Sequence, residues 1–241
     1  MKLIGGVIII GSLIWEDHIE LEKKGENFIR RDWRNQNLKA ERTLVPVPIR
    51  YGRKSSTRKE TYSMVFDNDH ELGQGLILEF QQPISSFEDL EKQAIALAIA
   101  EGIYKSENRR IISTWGAVGL LINPQLKKND FSKFEFISKK WRDIYHTYNK
   151  TFNAKEYKRA ESLTPPIDEY GLLTIKWQDD MNKFDILLAT PVIPDPKDPL
   201  TAKQIADKMI EKRYDTYFKS NIAHNIRTTQ DKEIAENLPN N

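Results

Sequence analysis

Cysteine is absent from the 241-residue chain. Disulfides, thiolate nucleophiles and thiolate-bound metals are thereby excluded, and a reducing compartment suits the composition. Histidine is sparse. His18, His70, His146 and His224 are scattered, no two share a metal-ligand spacing, and no metal is assigned. A surplus of one charge is missing too. The 37 basic and 35 acidic residues leave a net charge of +2, which by itself points to neither a nucleic-acid nor a membrane partner. The N-terminal apolar run is too short to span a membrane. It has the length of a signal-peptide core, but Glu16-Asp17 follow directly and no small-x-small cleavage site appears, so a cytoplasmic protein is expected. No internal repeat is found.

What is present suits a folded chain. Hydrophobic residues make up 39% and charged residues 30%, and the length allows one large domain or two small ones. The run Val7-Ile8-Ile9-Ile10-Gly11-Ser12-Leu13-Ile14-Trp15 predicts a strand buried on both faces. Gly11 within it marks a bend or a close approach, where backbone N–H groups can turn towards a ligand. The charged stretch 17–43 reads as a loop or short helix leading into a strand. Leu44-Val45-Pro46-Val47-Pro48-Ile49, with two prolines, suits an edge or irregular extended segment. The following loop carries Arg50, Arg53, Lys54, Arg58 and Lys59. It is read as a solvated loop balanced by Glu60, Asp67 and Asp69, or as a binder of phosphate or nucleic acid. Between these lies Arg50 or Arg53 at a pocket mouth, holding an anionic substrate group. Residues 61–66 and 75–80 are expected to pair as a hairpin across an acidic turn.

Ser85 and Glu88 have capping-box spacing and open the clearest helix, with Leu90, Ala94, Leu97, Ala98 and Glu101 on one face and Gly102 as the stop. Residues 110–123 read as a strand with a glycine-bearing bend, and Pro124 to Asp130 as a linker. Beyond it Phe136, Trp141, Ile144, Tyr145 and Tyr148 form an aromatic stripe at helical spacing, read as core. Leu172–Trp177 and Phe184–Val192 are expected to form a hairpin around residues 179–182. Thr201 and Gln204 open a further helix with Ile205, Met209 and Tyr217 inward. The last twenty residues read as polar and frayed. The expected organisation is one domain over 1–125, an extension over 126–222 (helix, β-hairpin, helix) and a polar tail over 223–241.

Glu101 is the residue with the most chemical promise. On an apolar face, at the negative end of a helix, both desolvation and the helix dipole act to raise its pKa, towards a group that takes up and returns protons. The alternative is a helix that ends early and lets Glu101 reach water. Glu16 and Asp17, just past the bend, either reach a pocket or simply end the strand. Trp15 and Trp115 either line a cavity or fill core.

Two motifs carry a resemblance. Ile10-Gly11-Ser12-Leu13 after an apolar strand resembles the (Tyr)-Gly-Ser-(Leu/Asn) motif of the gamma-glutamyl cyclotransferase-like family, and Leu97-x-x-x-Glu101-Gly102-Ile103 is similar to that family's Leu-Asp-x-x-Glu-Gly-Val signature. Ile10 stands where the family has tyrosine, and Ala98 where it has aspartate. The resemblance covers about residues 5–123. It implies an α+β fold: a β-barrel with flanking helices, here followed by a C-terminal α/β extension. It also implies an intramolecular aminolysis of a γ-glutamyl or related amide. Carried over, Glu101 is the general base and then acid, and the amides of Gly11, Ser12 and Leu13 hold a substrate oxygen, with no cofactor or metal. The expected partner is a small γ-glutamyl-type substrate. The aromatic second region offers a lid, an oligomer surface or a partner surface. The competing expectation is a non-catalytic binding or protein-interaction module on the same scaffold.

Overall fold

The computed structural model describes residues 2–17, 28–106, 110–148 and 152–239, the side chain of Tyr148 excepted. His18 and residues 19–27 of the charged stretch lie outside the described residues. The strands are β1 (Gly5–Ile9), β2 (Leu38–Lys54), β3 (Tyr62–Phe66), β4 (Leu72–Phe80), β5 (Gly119–Ile122) and β6 (Ile186–Ala189). The helices are α1 (Ile29–Asn37), α2 (Phe87–Glu101), α3 (Pro124–Asn129), α4 (Phe131–Tyr148), α5 (Ala202–Lys212), α6 (Thr216–Ala223) and α7 (Asp231–Asn237).

The protein is α+β, built on a six-stranded mixed sheet in the order β3-β2-β4-β1-β6-β5. β1 is buried along its whole length, as its unbroken apolar run requires. It pairs antiparallel with β4 on one edge and parallel with β6 on the other.

The sheet is open, so the expected barrel is corrected. After β6 the backbone meets the end of β2 in one isolated bridge and not a ladder, Lys54 N–H to the Asp195 carbonyl at 2.8 Å and Asp195 N–H to that of Gly52 at 2.7 Å. Pro191, Pro194 and Pro196 interrupt this stretch, and a residue without an N–H cannot extend a ladder.

Other local expectations change where tertiary pairing decides. β3 and β4 do not pair with each other. Both ladder onto the long β2, with Ile49 opposite Phe66 and Pro48 opposite Leu72. Pro46 and Pro48 lie in a regular strand that is locally one-sided, since β3 ladders onto β2 only from Ile49 onward, so the expected edge position holds for this stretch and the irregular one does not. Over that stretch the recorded ladder partner is β4, so a missing N–H is tolerated while Val45, Val47 and Ile49 fill the core. The cap of α2 is Ser86, one residue later than read: its hydroxyl accepts from Asp89 N–H at 3.1 Å, and the Asp89 carboxylate accepts from Ser86 N–H at 3.0 Å. The expected linker at 124–130 is largely α3.

The second half of the chain is not an appendage. The hairpin expected across residues 172–192 is replaced by one strand, β6, inserted between β1 and β5. A boundary at residue 125 would cut through this sheet and through the single core beneath it. The tail is packed as well. Ile226 and Ile234 are buried, and Arg227 exchanges both backbone hydrogen bonds with Gln74 of β4. The capping box Thr201/Gln204 does open α5, with Ile205 and Met209 inward. Arg213 in the left-handed region ends that helix, so Tyr217 belongs to α6. Among the described residues no helix is long and apolar enough to cross a membrane.

Trp141 and Tyr145 of the aromatic helix are core, whereas Phe136 is exposed. The Trp141 indole donates to the Gly171 carbonyl at 2.9 Å, and Gly171 has φ +77°. A methyl there would stand 2.1 Å from Tyr145. Gly171→Ala is therefore expected to destabilise the fold by more than about 1 kcal/mol, since both the left-handed backbone and the space oppose it. Urea denaturation of the variant checks this, and an unchanged midpoint would show that Tyr145 gives way freely.

Candidate functional site

The bend after β1 becomes a 3₁₀ turn over Ser12–Ile14. Its carbonyls are used: Gly11 and Ser12 accept within the turn, and Arg34 of α1 donates to the carbonyls of Leu13 at 2.6 Å and Glu16 at 2.8 Å. Its first amides are not. The N–H groups of Gly11, Ser12 and Leu13 donate to no protein acceptor among the described residues. All three residues line a cavity of about 520 Å³.

Glu101 lines the same cavity, at the last position of α2, with its side chain 19% exposed. Gly102, at φ 75°, closes the helix there and turns the chain away. The carboxylate accepts from the Thr190 hydroxyl at 2.9 Å and from the Arg30 guanidinium at 3.3 Å. Arg30 joins the two halves of the site. It donates to the Ser12 hydroxyl at 2.9 Å, to the Ala100 carbonyl at 3.0 Å, and to Glu16. One guanidinium thus spans from the turn after β1 to the end of α2. Arg58 reaches the turn from the other side, donating to the Ser12 hydroxyl at 2.6 Å and to Glu16 at 2.9 Å. Its guanidinium lies 4.8 Å from the centre of the Tyr217 ring.

The residues read from the sequence separate clearly. Gly11, Ser12, Leu13, Glu101 and Arg53 come together around the cavity, with Glu16 and Trp115. Trp15 packs at the edge of the core, its indole donating to Asn221 at 2.8 Å. Asp17 pairs with Arg34. Arg50 is corrected. It does not line the cavity; it is 1% exposed and paired with Asp67 at 2.5 Å inside the fold. The Gly52 bulge in β2 separates it from Arg53, which emerges into the cavity wall.

Three contributors escaped the sequence reading as site residues, Arg30, Thr190 and Tyr217, whereas Arg58 was read only as one of the loop's basic cluster. Arg30 and Arg34 stand four apart on α1, the spacing that puts two side chains on one helix face, and that was the signal available. Thr190 directly follows β6, and nothing local foretells its meeting with Glu101. Tyr217 is held by the Met64 N–H, which donates to its hydroxyl at 3.2 Å. Burial raises its phenol above the usual tyrosine range while Arg58 pulls the other way, so the hydroxyl stays neutral.

Gly11 is required by that tyrosine. A methyl on it would stand 2.6 Å from the Tyr217 hydroxyl oxygen. Gly11→Ala is expected to cost about 1–3 kcal/mol by overpacking. Adding Tyr217→Phe removes the clashing atom and is expected to recover most of the loss. Denaturation of the single and double variants checks this; a double variant no more stable than Gly11→Ala alone overturns the contact as the cause.

Comparison of the chain with protein-family models, with curated proteins and with solved structures finds no match to any of them.

Proposed function

We propose that the protein is a gamma-glutamyl cyclotransferase-like enzyme, cleaving a small γ-glutamyl-type amide by intramolecular aminolysis. The observation that carries this reading is the shared cavity: amides with no partner among the described residues, a carboxylate in the same lining, and one arginine joining the two. The substrate's α-amine attacks its own γ-carbonyl carbon, and Glu101 takes the proton the nitrogen gives up. The carbonyl oxygen gathers negative charge, which the amides of Gly11, Ser12 and Leu13 stabilise as fixed donors. Glu101 then returns the proton to the leaving nitrogen as its bond to carbon breaks, releasing the amine and 5-oxoproline. Of the contacts Arg30 makes, the one to Glu101 is the longest, so the carboxylate can exchange it for a substrate ammonium while Glu16, Ser12 and Ala100 keep the arginine in place.

The same contact favours a second reading. A carboxylate committed to Arg30 would make the cavity a binding module for an anion, without turnover. Incubation with a panel of γ-glutamyl amides and dipeptides, read as 5-oxoproline release, separates the two. Release from at least one panel member supports the enzyme; saturable binding with no release from any supports the module.

A further inference from the structure

The cavity holds more positive charge than its own carboxylates answer. Arg30, Arg53, Lys54, Arg58 and Lys105 line it, against Glu16 and Glu101. Glu16 is shared by Arg30 and Arg58, and Glu101 faces Arg30. Lys54 pairs with Glu60, outside the lining, at 3.3 Å. Arg53 and Lys105 have no carboxylate within 4.0 Å among the described residues.

Arg53 is the more telling of the two. Its guanidinium is half-buried, donates to the Ile193 carbonyl at 2.7 Å, and lies 5.4 Å from the centre of the Trp115 ring. Burial lowers its proton affinity from the usual arginine value, with Asp195 and Tyr157 opposing at longer range. A partly desolvated cation with no close counter-ion gains most from an anion brought to it. Two residues on, the chain turns through Ser55, Ser56 and Thr57, all in the cavity wall. Ser55 and Thr57 share a hydrogen bond of 3.0 Å, and the Ser56 hydroxyl has no protein partner among the described residues.

We infer that this half of the cavity is a phosphate-binding subsite, built on Arg53 and the Ser55–Thr57 turn, for a small molecule carrying a phosphate monoester. The half-buried cation of Arg53, with no carboxylate within 4.0 Å among the described residues, favours a doubly charged anion. A phosphoryl group offers three acceptor oxygens, two for the guanidinium fork and one for a hydroxyl or ammonium; a carboxylate offers two oxygens and a single charge. Arg53, held from behind by Ile193 and flanked by Trp115, presents the planar donor such a group selects. The inference stands on the cavity and not on the proposed reaction. Phosphate binding without 5-oxoproline release keeps the subsite and removes the reaction, and release without phosphate binding does the reverse.

The test is calorimetric titration of the full chain with inorganic phosphate at low ionic strength, beside acetate at matched ionic strength. Phosphate is expected to bind saturably and at least about tenfold more tightly than acetate. Loss of one charged hydrogen bond is worth about tenfold or more, so Arg53→Ala should raise the Kd by that factor, with Arg53→Lys in between. A tryptophan fluorescence change on phosphate addition should vanish in Trp115→Phe. Because Arg53 also holds Ile193, Ser56→Ala serves as a variant that keeps that contact, and it too should weaken phosphate. No saturable binding, acetate as tight as phosphate, or loss on Arg58→Ala with Arg53→Ala and Ser56→Ala unaffected would each overturn the subsite.

Discussion

Glu101→Gln is expected to lower 5-oxoproline release by roughly 10²–10⁴-fold, the usual contribution of a positioned acid–base group. Glutamine fills the same volume and keeps a carbonyl oxygen to accept from the Thr190 hydroxyl, now at 2.9 Å. It cannot carry the proton from the attacking nitrogen to the leaving one. Arg30 retains Glu16, Ser12 and the Ala100 carbonyl, so the clamp between the turn and α2 persists. The variant is therefore expected to be folded, with the circular dichroism spectrum of the parent. Rate and spectrum must be read together. Loss of release in a folded variant supports the proton-carrying role; an unfolded variant makes Glu101 structural, and undiminished release removes it from the reaction.

Asp67→Ala is expected to be the most damaging single change to stability, about 3–5 kcal/mol, the cost typical of stranding one partner of a buried ion pair. The side chains of Arg50 and Asp67 are 1% and 3% exposed. Beyond Asp67, the guanidinium donates to the carbonyls of Tyr51 and Lys197, each at 3.2 Å. These carbonyls can accept hydrogen bonds but cannot neutralise the charge. The comparison that isolates the pair is Arg50→Met with Asp67→Leu, which removes both charges and is expected to be much less destabilising than Asp67→Ala. Urea unfolding of the three chains measures it. A loss under about 1 kcal/mol in Asp67→Ala would place the pair in the range of solvent-exposed bridges.

The elements that could be read in advance share a property: their pattern is complete within a few residues. β1 follows from an apolar run, α2 from a cap, an amphipathic face and a closing glycine, and α5 from Thr201 and Gln204. Where a strand finds its neighbour is not local. β2 recruits both β3 and β4, which a turn signal between them made look like each other's partners. β6 pairs with β1, from the start of the chain, and with β5, from its middle, where a nearer segment had looked like its mate. The tail's polar composition concealed Ile226 and Ile234, which are buried and, with the Arg227–Gln74 backbone pair, tie it to the fold.

The site divides in the same way. Gly11, Ser12, Leu13 and Glu101 were legible because a glycine-bearing bend and a helix-ending acid are each local oddities that chemistry can use. Arg50 and Arg53 looked alike in sequence. Only the packing of Asp67 and Lys197 around one, and the opening of the cavity beside the other, made the first structural and the second a wall of the site. The sequence by itself determined that the β1 run is buried, that α2 stops at Gly102 and α5 opens at Thr201, and that no thiol chemistry is available. The tertiary structure alone decided that the sheet stays open, and that Arg30, Thr190 and Tyr217 meet the early turn. The physical reason is that hydrophobic periodicity specifies which face of an element turns inward, whereas partners across the core are chosen by the joint packing of all elements, information that no short window of the chain contains.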